Sequence, residues 1–312
     1  MNVDDQTCKL LIIGGCTAKR ESGCLSNFEE LSISVKGDRF VIVNEGLGNL
    51  LKSRRSPSVF KCFNGITVFG GCSDEGIHVN CVEVLKENNN VWQSSCFPTR
   101  LTNHSCAAFV SLDVQTGLII GGYDGFDCLN DYQIINLNTF ELLKRGRMPF
   151  RLKNAASVRE DENIFLIGGW DERRTLRTVY SVDVSNAFEV TFSMIGLLPY
   201  GVEGHSAVTH KKAIYIIGGY DGFSVLNSIL RYDVLSKETQ ILPIALNTPR
   251  ENHVSTCLLG KYIVTIGGWC GRTALTSIEV FEVLDQAPFL RRIECNVTLD
   301  VPRNRPALIS FH

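Results

Sequence analysis

The chain has 312 residues, of which 44% are hydrophobic and 21% are charged, and its formal net charge is −2. This composition is typical of a globular protein with enough apolar residues for a core, and the near-neutral charge gives no electrostatic reason to expect nucleic acid or a membrane surface as partner. No apolar run approaches the roughly 20 residues of a membrane-spanning helix. The acidic N-terminus lacks the layout of a signal peptide, so we expect a cytoplasmic protein, with the nucleus as a second compartment.

Six Gly-Gly pairs divide the sequence at intervals of 47 to 56 residues. The pairs start at Gly14, Gly70, Gly121, Gly168, Gly218 and Gly267. Each follows a short apolar run without alternation, which is typical of a strand buried on both faces. The runs are residues 10–13, 66–69, 118–120, 164–167, 214–217 and 262–266. The octapeptide IIGGYDGF occurs twice, at 119–126 and 216–223, as the third and fifth members of this series.

The segments around each apolar run predict three further strands. A small-residue or β-prone segment precedes five of the runs, as at 205–209 and 254–258. An alternating stretch follows each diglycine, as at 180–184 and 230–234, and a fourth short apolar segment comes after it, as at 189–192. No segment has the 3.6-residue periodicity of an amphipathic helix. The sequence therefore predicts repeated units of four antiparallel strands.

A period of about 50 residues with four strands per unit is that of the kelch repeat. The pattern Gly-Gly-aromatic-Asp-Gly, followed by Leu-Asn and Tyr-Asp-Val, also resembles that repeat over essentially the whole chain. The resemblance implies an all-β, six-bladed kelch β-propeller with four antiparallel strands in each blade. We assign residues 1–312 to one propeller domain, with repeats at approximately 1–52 plus 302–312, 53–98, 99–149, 150–199, 200–248 and 249–301.

The two ends of the sequence complement each other. The first repeat begins almost directly at its second strand, residues 9–13, whereas residues 302–311 match the start of the other repeats. We expect residues 306–311 to complete the blade begun by residues 9–43. Such closure removes the exposed strand edges that an open propeller would leave.

The sequence contains no familiar catalytic motif. His104, His205 and His253 each lie near the start of a first strand, so they are candidates for a metal site at the channel, but their spacing gives no independent support. His205 with Glu203 is the one local acid–base pair worth testing. We therefore expect no enzyme, no metal and no cofactor. The 12 cysteines form no C-x-x-C motif, and we expect reduced thiols.

The residue after each diglycine begins a loop on one face of the propeller. Round the ring these residues are Cys16, Cys72, Tyr123, Trp170, Tyr220 and Trp269. Aromatic anchors dominate protein interfaces, so the four aromatic residues predict a partner-binding surface. The alternative is that these rings pack locally over the diglycine.

The loop entering each first strand carries positive charge in five of the six repeats. The basic residues are Arg54, Arg55, Arg100, Arg151, Lys153, Arg250, Arg303 and Arg305. Guanidinium groups bind carboxylates in a bidentate geometry, so these residues predict an acidic peptide as partner. The alternative is that the first arginine of each loop is a structural feature that bridges blades.

The repeats are most similar to the kelch domains of BTB–kelch proteins, the substrate receptors of cullin-RING ubiquitin ligases. The resemblance implies that a short peptide of a substrate binds one face, and that the ligase is reached through BTB and BACK domains outside this chain. The implied partner-binding residues are Tyr123, Trp170, Tyr220, Trp269, Arg55, Thr102, Lys153, Glu203, Asn252 and Arg305. The alternatives are an actin-binding, cytoskeletal kelch protein and a propeller enzyme such as a sugar epimerase.

Overall fold

The computed structural model describes residues 6–18, 23–36, 39–63, 65–89, 91–99, 101–102, 104–185 and 187–311. In these residues 24 β-strands form six antiparallel sheets of four strands each, which are the blades of a propeller. The helical structure in the described residues is one short 3₁₀ turn, Asp74–Gly76. No helix in this part of the chain is long and apolar enough to cross a membrane.

The strands are numbered in chain order. Blade 1 contains β1 (Gln6–Ile13), β2 (Asn27–Lys36) and β3 (Arg39–Asn49). Blade 2 contains β4 (Ser58–Cys62), β5 (Gly65–Phe69), β6 (Cys81–Asn88) and β7 (Val91–Pro98). Blade 3 contains β8 (Ala108–Ser111), β9 (Thr116–Ile120), β10 (Asp131–Asn136) and β11 (Leu142–Arg147).

The second half of the ring is more regular. Blade 4 contains β12 (Ala156–Glu160), β13 (Asn163–Ile167), β14 (Thr178–Val184) and β15 (Val190–Leu197). Blade 5 contains β16 (Ser206–His210), β17 (Ala213–Ile217), β18 (Ser228–Asp233) and β19 (Thr239–Ala245). Blade 6 contains β20 (Val254–Leu258), β21 (Tyr262–Ile266), β22 (Ile278–Val283) and β23 (Leu290–Ile293). The last strand is β24 (Ala307–Phe311).

The predicted closure is confirmed, because β24 joins the sheet of blade 1 in the order β24-β1-β2-β3. Lys9 lies opposite Phe311, and Ile13 lies opposite Ala307. The first strands of successive blades also contact each other in a complete circle, from β4 through β8, β12, β16 and β20 to β24 and back to β4. The first strands therefore surround the central channel.

The second strands lie at the centre of the core, as the apolar runs predict. Every residue of β9, β17 and β21 is buried. The hydrophobic clusters join neighbouring blades: Tyr215 and Ile217 of blade 5 share a cluster with Ile263 and Phe281 of blade 6. Blade-to-blade packing of this kind holds the ring together, since a single four-stranded sheet cannot bury both of its faces.

The expectation that every cysteine is reduced is wrong for one pair. Cys81 on β6 and Cys96 on β7 are disulfide-bonded, with their Cα atoms 6.3 Å apart. They are diagonal neighbours, because Cys81 lies opposite Pro98 and Cys96 lies opposite Glu83 in the strand register.

Candidate functional site

The face of the propeller at which the second strands end in Gly-Gly is here called the top face. On this face the residue after each diglycine forms isolated antiparallel bridges to two other residues of its blade, and each set of three is called a bridge row. In blades 1 to 3 the rows are Asn304, Cys16 and Cys24; Arg55, Cys72 and His78; Ser105, Tyr123 and Cys128. In blades 4 to 6 they are Lys153, Trp170 and Thr175; Glu203, Tyr220 and Val225; Glu251, Trp269 and Ala274.

The diglycine is required where one blade meets the next. Gly121 has a φ of +59°, and a Cβ atom at this position would lie 2.3 Å from the carbonyl oxygen of Leu152 in the following blade. The amide of the next residue, Gly122, donates a hydrogen bond to the same carbonyl at 2.7 Å. Glycine tolerates both the left-handed backbone and the close approach, so the "IIGG" half of the repeated octapeptide is scaffold.

The "YDGF" half forms the loop that follows. Asp221 accepts hydrogen bonds at Oδ1 from the amides of Phe223 and Ser224, both at 2.8 Å. Asp124 makes the same pair of contacts in blade 3. These aspartates shape the turn, as aspartate side chains commonly do, and the phenylalanine that follows is pushed into solvent: Phe223 is 93% exposed.

A closed ring of backbone hydrogen bonds surrounds the channel mouth. One residue in each loop that enters a first strand has a positive φ between 50° and 59°: Ser56, Cys106, Asn154, Gly204, Asn252 and Arg305. The amide of each residue donates to the carbonyl of its counterpart in the preceding blade, over distances of 2.6 to 3.3 Å. The circle is complete, since Ser56 donates to Arg305. This ring fixes the spacing of the six loops that carry the top-face side chains.

The expectation of positive charge at the channel mouth is wrong for three of the basic residues. Arg54, Arg250 and Arg303 have no exposed surface, and each pairs with a buried glutamate of its own blade. The pairs are Arg54 with Glu83 at 2.9 Å, Arg250 with Glu279 at 2.7 Å and Arg303 with Glu29 at 2.9 Å. These arginines are therefore structural, although their side chains bond within one blade and do not bridge two blades as the alternative expected.

Further bonds fix each buried guanidinium to the diglycine turn. Arg250 Nη1 donates to the carbonyl of Gly267 at 3.0 Å, and Arg303 Nη1 donates to the carbonyl of Gly14 at 2.8 Å. Burial lowers the pKa of both arginines. Burial alone would raise the pKa of Glu279, but the amide of Asn247, the Arg292 side chain and the charge of Arg250 together hold that pKa below its usual range.

The other entering arginines occupy different places. Arg151 is exposed and pairs with Glu172 at 3.0 Å, and Arg100 lies outside the described residues. Thr102 precedes its bridge row by three positions, and its amide donates to Gln133. Asn252 and Arg305 belong to the ring of left-handed residues. The ten predicted site residues thus occupy several different positions in their blades. Choosing them by their distance from the entering arginine placed residues together that are not structurally equivalent.

Three predicted partner-binding residues meet at blades 3 and 4. Lys153 places its Nζ 4.5 Å from the ring centroid of Tyr123 and 4.7 Å from that of Trp170. Cation–π attraction of this kind holds the ammonium group over the two rings. All three side chains are half-buried, so each also offers surface to a partner.

The four aromatic residues of the bridge rows are not equivalent. Tyr220 donates its hydroxyl hydrogen to the carbonyl of Gly222 at 3.0 Å, and Tyr123 does the same to Gly125 at 2.8 Å. Trp269 is only 6% exposed, and its indole Nε1 has no hydrogen-bond partner in the described part of the chain. The prediction of Trp269 as a surface anchor is therefore wrong, because its side chain is almost completely buried.

Arg305 reaches across the centre of the channel mouth. Its Nη1 donates to Cys106 Sγ at 3.1 Å and to Asn154 Oδ1 at 3.3 Å. Burial alone would raise the pKa of Cys106, but the Arg305 charge and a hydrogen bond with Ser56 hold that pKa below its usual value. Sequence reasoning missed Cys106, because nothing in its spacing shows that it faces an arginine almost 200 positions away.

The charge on the top face changes sign round the ring. The rows of blades 2 and 4 begin with Arg55 and Lys153, whereas those of blades 5 and 6 begin with Glu203 and Glu251. A groove of about 690 Å³ runs between blades 5 and 6, and both glutamates and the exposed Phe223 line it. Arg272 and Arg305 line the same groove. The top face therefore offers cations over blades 2 and 4, and both carboxylates and guanidinium groups at the groove between blades 5 and 6.

The three candidate histidines do not converge. The His205 ring lies against Gly168 of the preceding blade, where an added Cβ atom would come within 2.8 Å of it. In the same way the His253 ring lies against Gly218, and the His104 ring lies against Gly70. Each ring is thus buried between a different pair of blades. No group of three or more His, Cys, Asp or Glu side chains suited to a metal ion occurs among the described residues.

The proposed acid–base pair is also separated. Glu203 accepts a hydrogen bond from Asn154 Nδ2 at 2.7 Å, whereas both ring nitrogens of His205 are buried without a hydrogen-bond partner among the described groups. Burial lowers the pKa of His205 to about 3. A histidine held neutral and away from its carboxylate is no acid–base couple.

Comparison with known proteins agrees with the architecture. Residues 203–238 match the family model described as Kelch motif. Blade 5 carries a Kelch motif. The six-bladed propeller is also similar to a solved structure titled "Structure of YjhT", with 15% identity, a TM-score of 0.70, and coverage of 91% of this chain and 97% of that chain. At this identity the likeness shows the fold alone. No curated protein sequence matches the chain.

Proposed function

We propose that the top face of this Kelch propeller binds another protein by holding an extended peptide segment across the channel mouth. The observation that carries the proposal is the placement of Lys153 between the rings of Tyr123 and Trp170. Tyrosine and tryptophan supply large contact areas with little loss of side-chain entropy. A cation fixed between them adds a charge that can bind a carboxylate of the partner.

The distribution of charge sharpens the expected acidic peptide. Arg55, Lys153 and Arg305 favour acidic residues of the peptide over blades 2 to 4 and the channel mouth. At the other end, the groove between blades 5 and 6 is lined by Glu203 and Glu251 together with Arg272 and Arg305, so it favours a segment that carries both charges. A peptide of mixed charge in a defined direction therefore fits this face better than a uniformly acidic one, because complementary potentials fix its register.

The likeness of the repeats to those of BTB–kelch receptors supports a more specific role. We infer that the bound protein is a substrate selected for a cullin-RING ubiquitin ligase. In that role the propeller itself performs no catalysis. The contact with the ligase would be made by BTB and BACK domains outside these 312 residues.

The test uses Lys153→Met, which keeps an unbranched apolar side chain and removes the charge. Affinity capture from lysate with the whole chain as bait identifies the partner, and the variant should bind it at least about tenfold more weakly, equivalent to about 1.4 kcal/mol. Lys61→Met is the matched control, since Lys61 is exposed at the opposite end of its blade.

Both variants should melt at the temperature of the parent protein. Equal capture by Lys153→Met and the parent would place the partner elsewhere on the molecule. The ligase role is tested separately by probing the captured complex of the full-length gene product for a cullin. Capture of the partner without a cullin would be consistent with peptide binding and would contradict the ligase role.

A further inference from the structure

Blade 1 carries two cysteines in its bridge row, Cys16 and Cys24, where the other blades carry at most one. The two residues are directly opposite each other in an antiparallel bridge. The amide of Thr17 donates to the carbonyl of Gly23 at 3.0 Å, and the amide of Leu25 donates to the carbonyl of Gly15 at 2.8 Å. These bonds lie on either side of the cysteines, so Cys16 and Cys24 form a non-hydrogen-bonded pair.

Residues in such a pair have Cα atoms about 4.5 Å apart, and their side chains project from the same face. A disulfide needs Cα atoms about 4.4–6.8 Å apart. The Cys81–Cys96 disulfide joins diagonal neighbours at 6.3 Å, so the directly opposed pair in blade 1 has the shorter distance to span.

Both thiols are reduced in this structure and point to different acceptors. The Cys16 thiol donates to the carbonyl of Ala18 at 3.2 Å, and the Cys24 thiol donates to the carbonyl of Cys72 at 3.4 Å. Arg55 Nη1 in turn donates to Cys24 Sγ at 3.3 Å. Rotation about the Cα–Cβ bonds exchanges these contacts for an S–S bond while the bridge between the two backbones stays intact.

We propose that Cys16 and Cys24 are a thiol pair that forms a disulfide by exchange with a small-molecule disulfide such as oxidised glutathione. Cys24 is the half-exposed member, and Cys16 is buried. The Cys24 thiolate attacks one sulfur of the glutathione disulfide and releases one glutathione. The Cys16 thiolate then attacks the Cys24 sulfur and releases the second, so two protein thiols are oxidised and one disulfide is reduced to two thiols.

Burial raises the pKa of Cys24 to about 12, so its thiolate is scarce at neutral pH and the exchange is measured at equilibrium. The product has a defined effect on the top face. Cys24 Sγ leaves Arg55, whose remaining sulfur contact is with Cys72 at 3.6 Å. Since Arg55 belongs to the proposed partner-binding surface, an effect on partner affinity rests on the proposed function, whereas formation of the disulfide does not.

The experiment equilibrates the whole chain in mixtures of reduced and oxidised glutathione, quenches with acid, alkylates the remaining thiols and maps the tryptic peptides by mass spectrometry. Lys19 and Arg20 lie between the two cysteines, so trypsin separates them and a linked pair of peptides reports the bond. We expect a loss of two alkylatable thiols in this pair, with Cys16 linked to Cys24.

In Cys16→Ser the reaction should stop at a glutathione adduct on Cys24, and Cys24→Ser should leave Cys16 free to be alkylated after unfolding. Cys257→Ser, in blade 6, is the control and should form the same linked peptides as the parent. Alkylation of both Cys16 and Cys24 under oxidising conditions, or a link from Cys24 to Cys72, overturns the proposal. Neither the alkylation measurement nor the peptide mapping requires the partner, so failure of this proposal can be distinguished from failure of the proposed partner binding.

Discussion

Blades 1, 2 and 6 and blades 4 and 5 solve the same packing problem with opposite chemistry. Where the entering loop meets the third strand, the first group places a buried arginine against a buried glutamate. Blade 4 places Leu152 at this position with Tyr180 packed against the same cluster, and blade 5 places Val202 with Leu230. The carbonyl of the entering residue accepts the same hydrogen bond from the diglycine in every case.

This difference teaches that the fold requires a filled space and a backbone contact at this position, and that it does not require charge. Burying two charges costs desolvation energy that their attraction only partly offsets. The ion pairs do add bonds to the diglycine carbonyls, which an apolar side chain cannot make. We therefore expect the stability of blades 1, 2 and 6 to depend on both members of the ion pair being present. Blades 4 and 5 should tolerate substitutions at this position that keep the side-chain volume.

The largest effect is expected from removing residues 302–312. The truncation deletes β24, which closes the ring, and Arg303, which pairs with Glu29 inside blade 1. It leaves the edge of β1 unpaired and removes the guanidinium group that balances the buried charge of Glu29. We expect loss of cooperative thermal unfolding, measured by calorimetry or circular dichroism. A truncated chain that melts as one unit at the original temperature would contradict the closed ring.

Breaking one ionic pair comes next. Glu83→Leu leaves the guanidinium of Arg54 buried without its carboxylate, although its bond to the carbonyl of Gly70 at 3.0 Å remains. The free energy of unfolding should fall by about 3–5 kcal/mol, measured by urea unfolding. Leu230→Met in blade 5 is the control at the equivalent position, and a volume-conserving change there should cost less than about 1.5 kcal/mol. Equal losses in the two variants would remove the distinction between the blades.

The pH dependence of stability tests the apolar side of the ring. His205 in blade 5 is neutral in the folded state with a pKa of about 3, whereas in the unfolded chain its pKa is about 6.5. The unfolded state therefore binds the extra proton between these values, and stability is full above pH 6.5 and falls as the pH is lowered toward 3.

One such group contributes up to about 1.4 kcal/mol per pH unit, and about 1.6 kcal/mol between pH 6.5 and pH 5, because the unfolded histidine is only half protonated at pH 6.5. His205→Ala places in blade 5 the residue type that Ala155 provides at the corresponding position of blade 4. In this variant the decrease in the free energy of unfolding between pH 6.5 and pH 5, measured by urea unfolding, should be smaller by that amount. An unchanged slope would mean that His205 is protonated in the folded protein.

The smallest effect is expected from exchanging one chemistry for the other. Arg54→Val with Glu83→Leu gives blade 2 the pair found in blade 5, and it removes both buried charges together. We expect a free energy of unfolding within about 1 kcal/mol of the parent protein, so the double variant should recover most of the loss caused by Glu83→Leu alone. A double variant as unstable as the single one would show that the guanidinium bonds to the diglycine carbonyls are indispensable in blade 2.

The sequence predicts the blades well because their signals are local and repeated. The six diglycines and the apolar runs before them locate the second strands to within a few residues, and the match between residues 302–311 and the other repeats predicts the closure. The alternation seen in the third strands is less informative: β22 is buried along its whole length, because its polar positions hold Glu279 and Glu282 in ion pairs.

The site is predicted less well because its positions depend on single-residue shifts in the entering loops. Arg151 stands one residue earlier than the position of Arg250, and that difference moves its side chain from the core to the surface. Three members of the hydrogen-bonded ring at the channel mouth are residue types that tolerate a left-handed backbone, namely Asn154, Gly204 and Asn252. Their recurrence at equivalent places in the entering loops is the sequence signal for this ring. Ser56, Cys106 and Arg305 carry no such signal.

The register between β1 and β24 also decides how the molecule responds to force. Lys9 and Phe311 lie at the same end of their ladder, with Ile13 and Ala307 at the other. Tension applied through residues 6 and 311 loads the first pair of this ladder before the rest, so the strands unzip one pair at a time instead of shearing all five pairs at once. The β1–β24 ladder that closes the ring is thus the place where tension on these two strands would open the propeller.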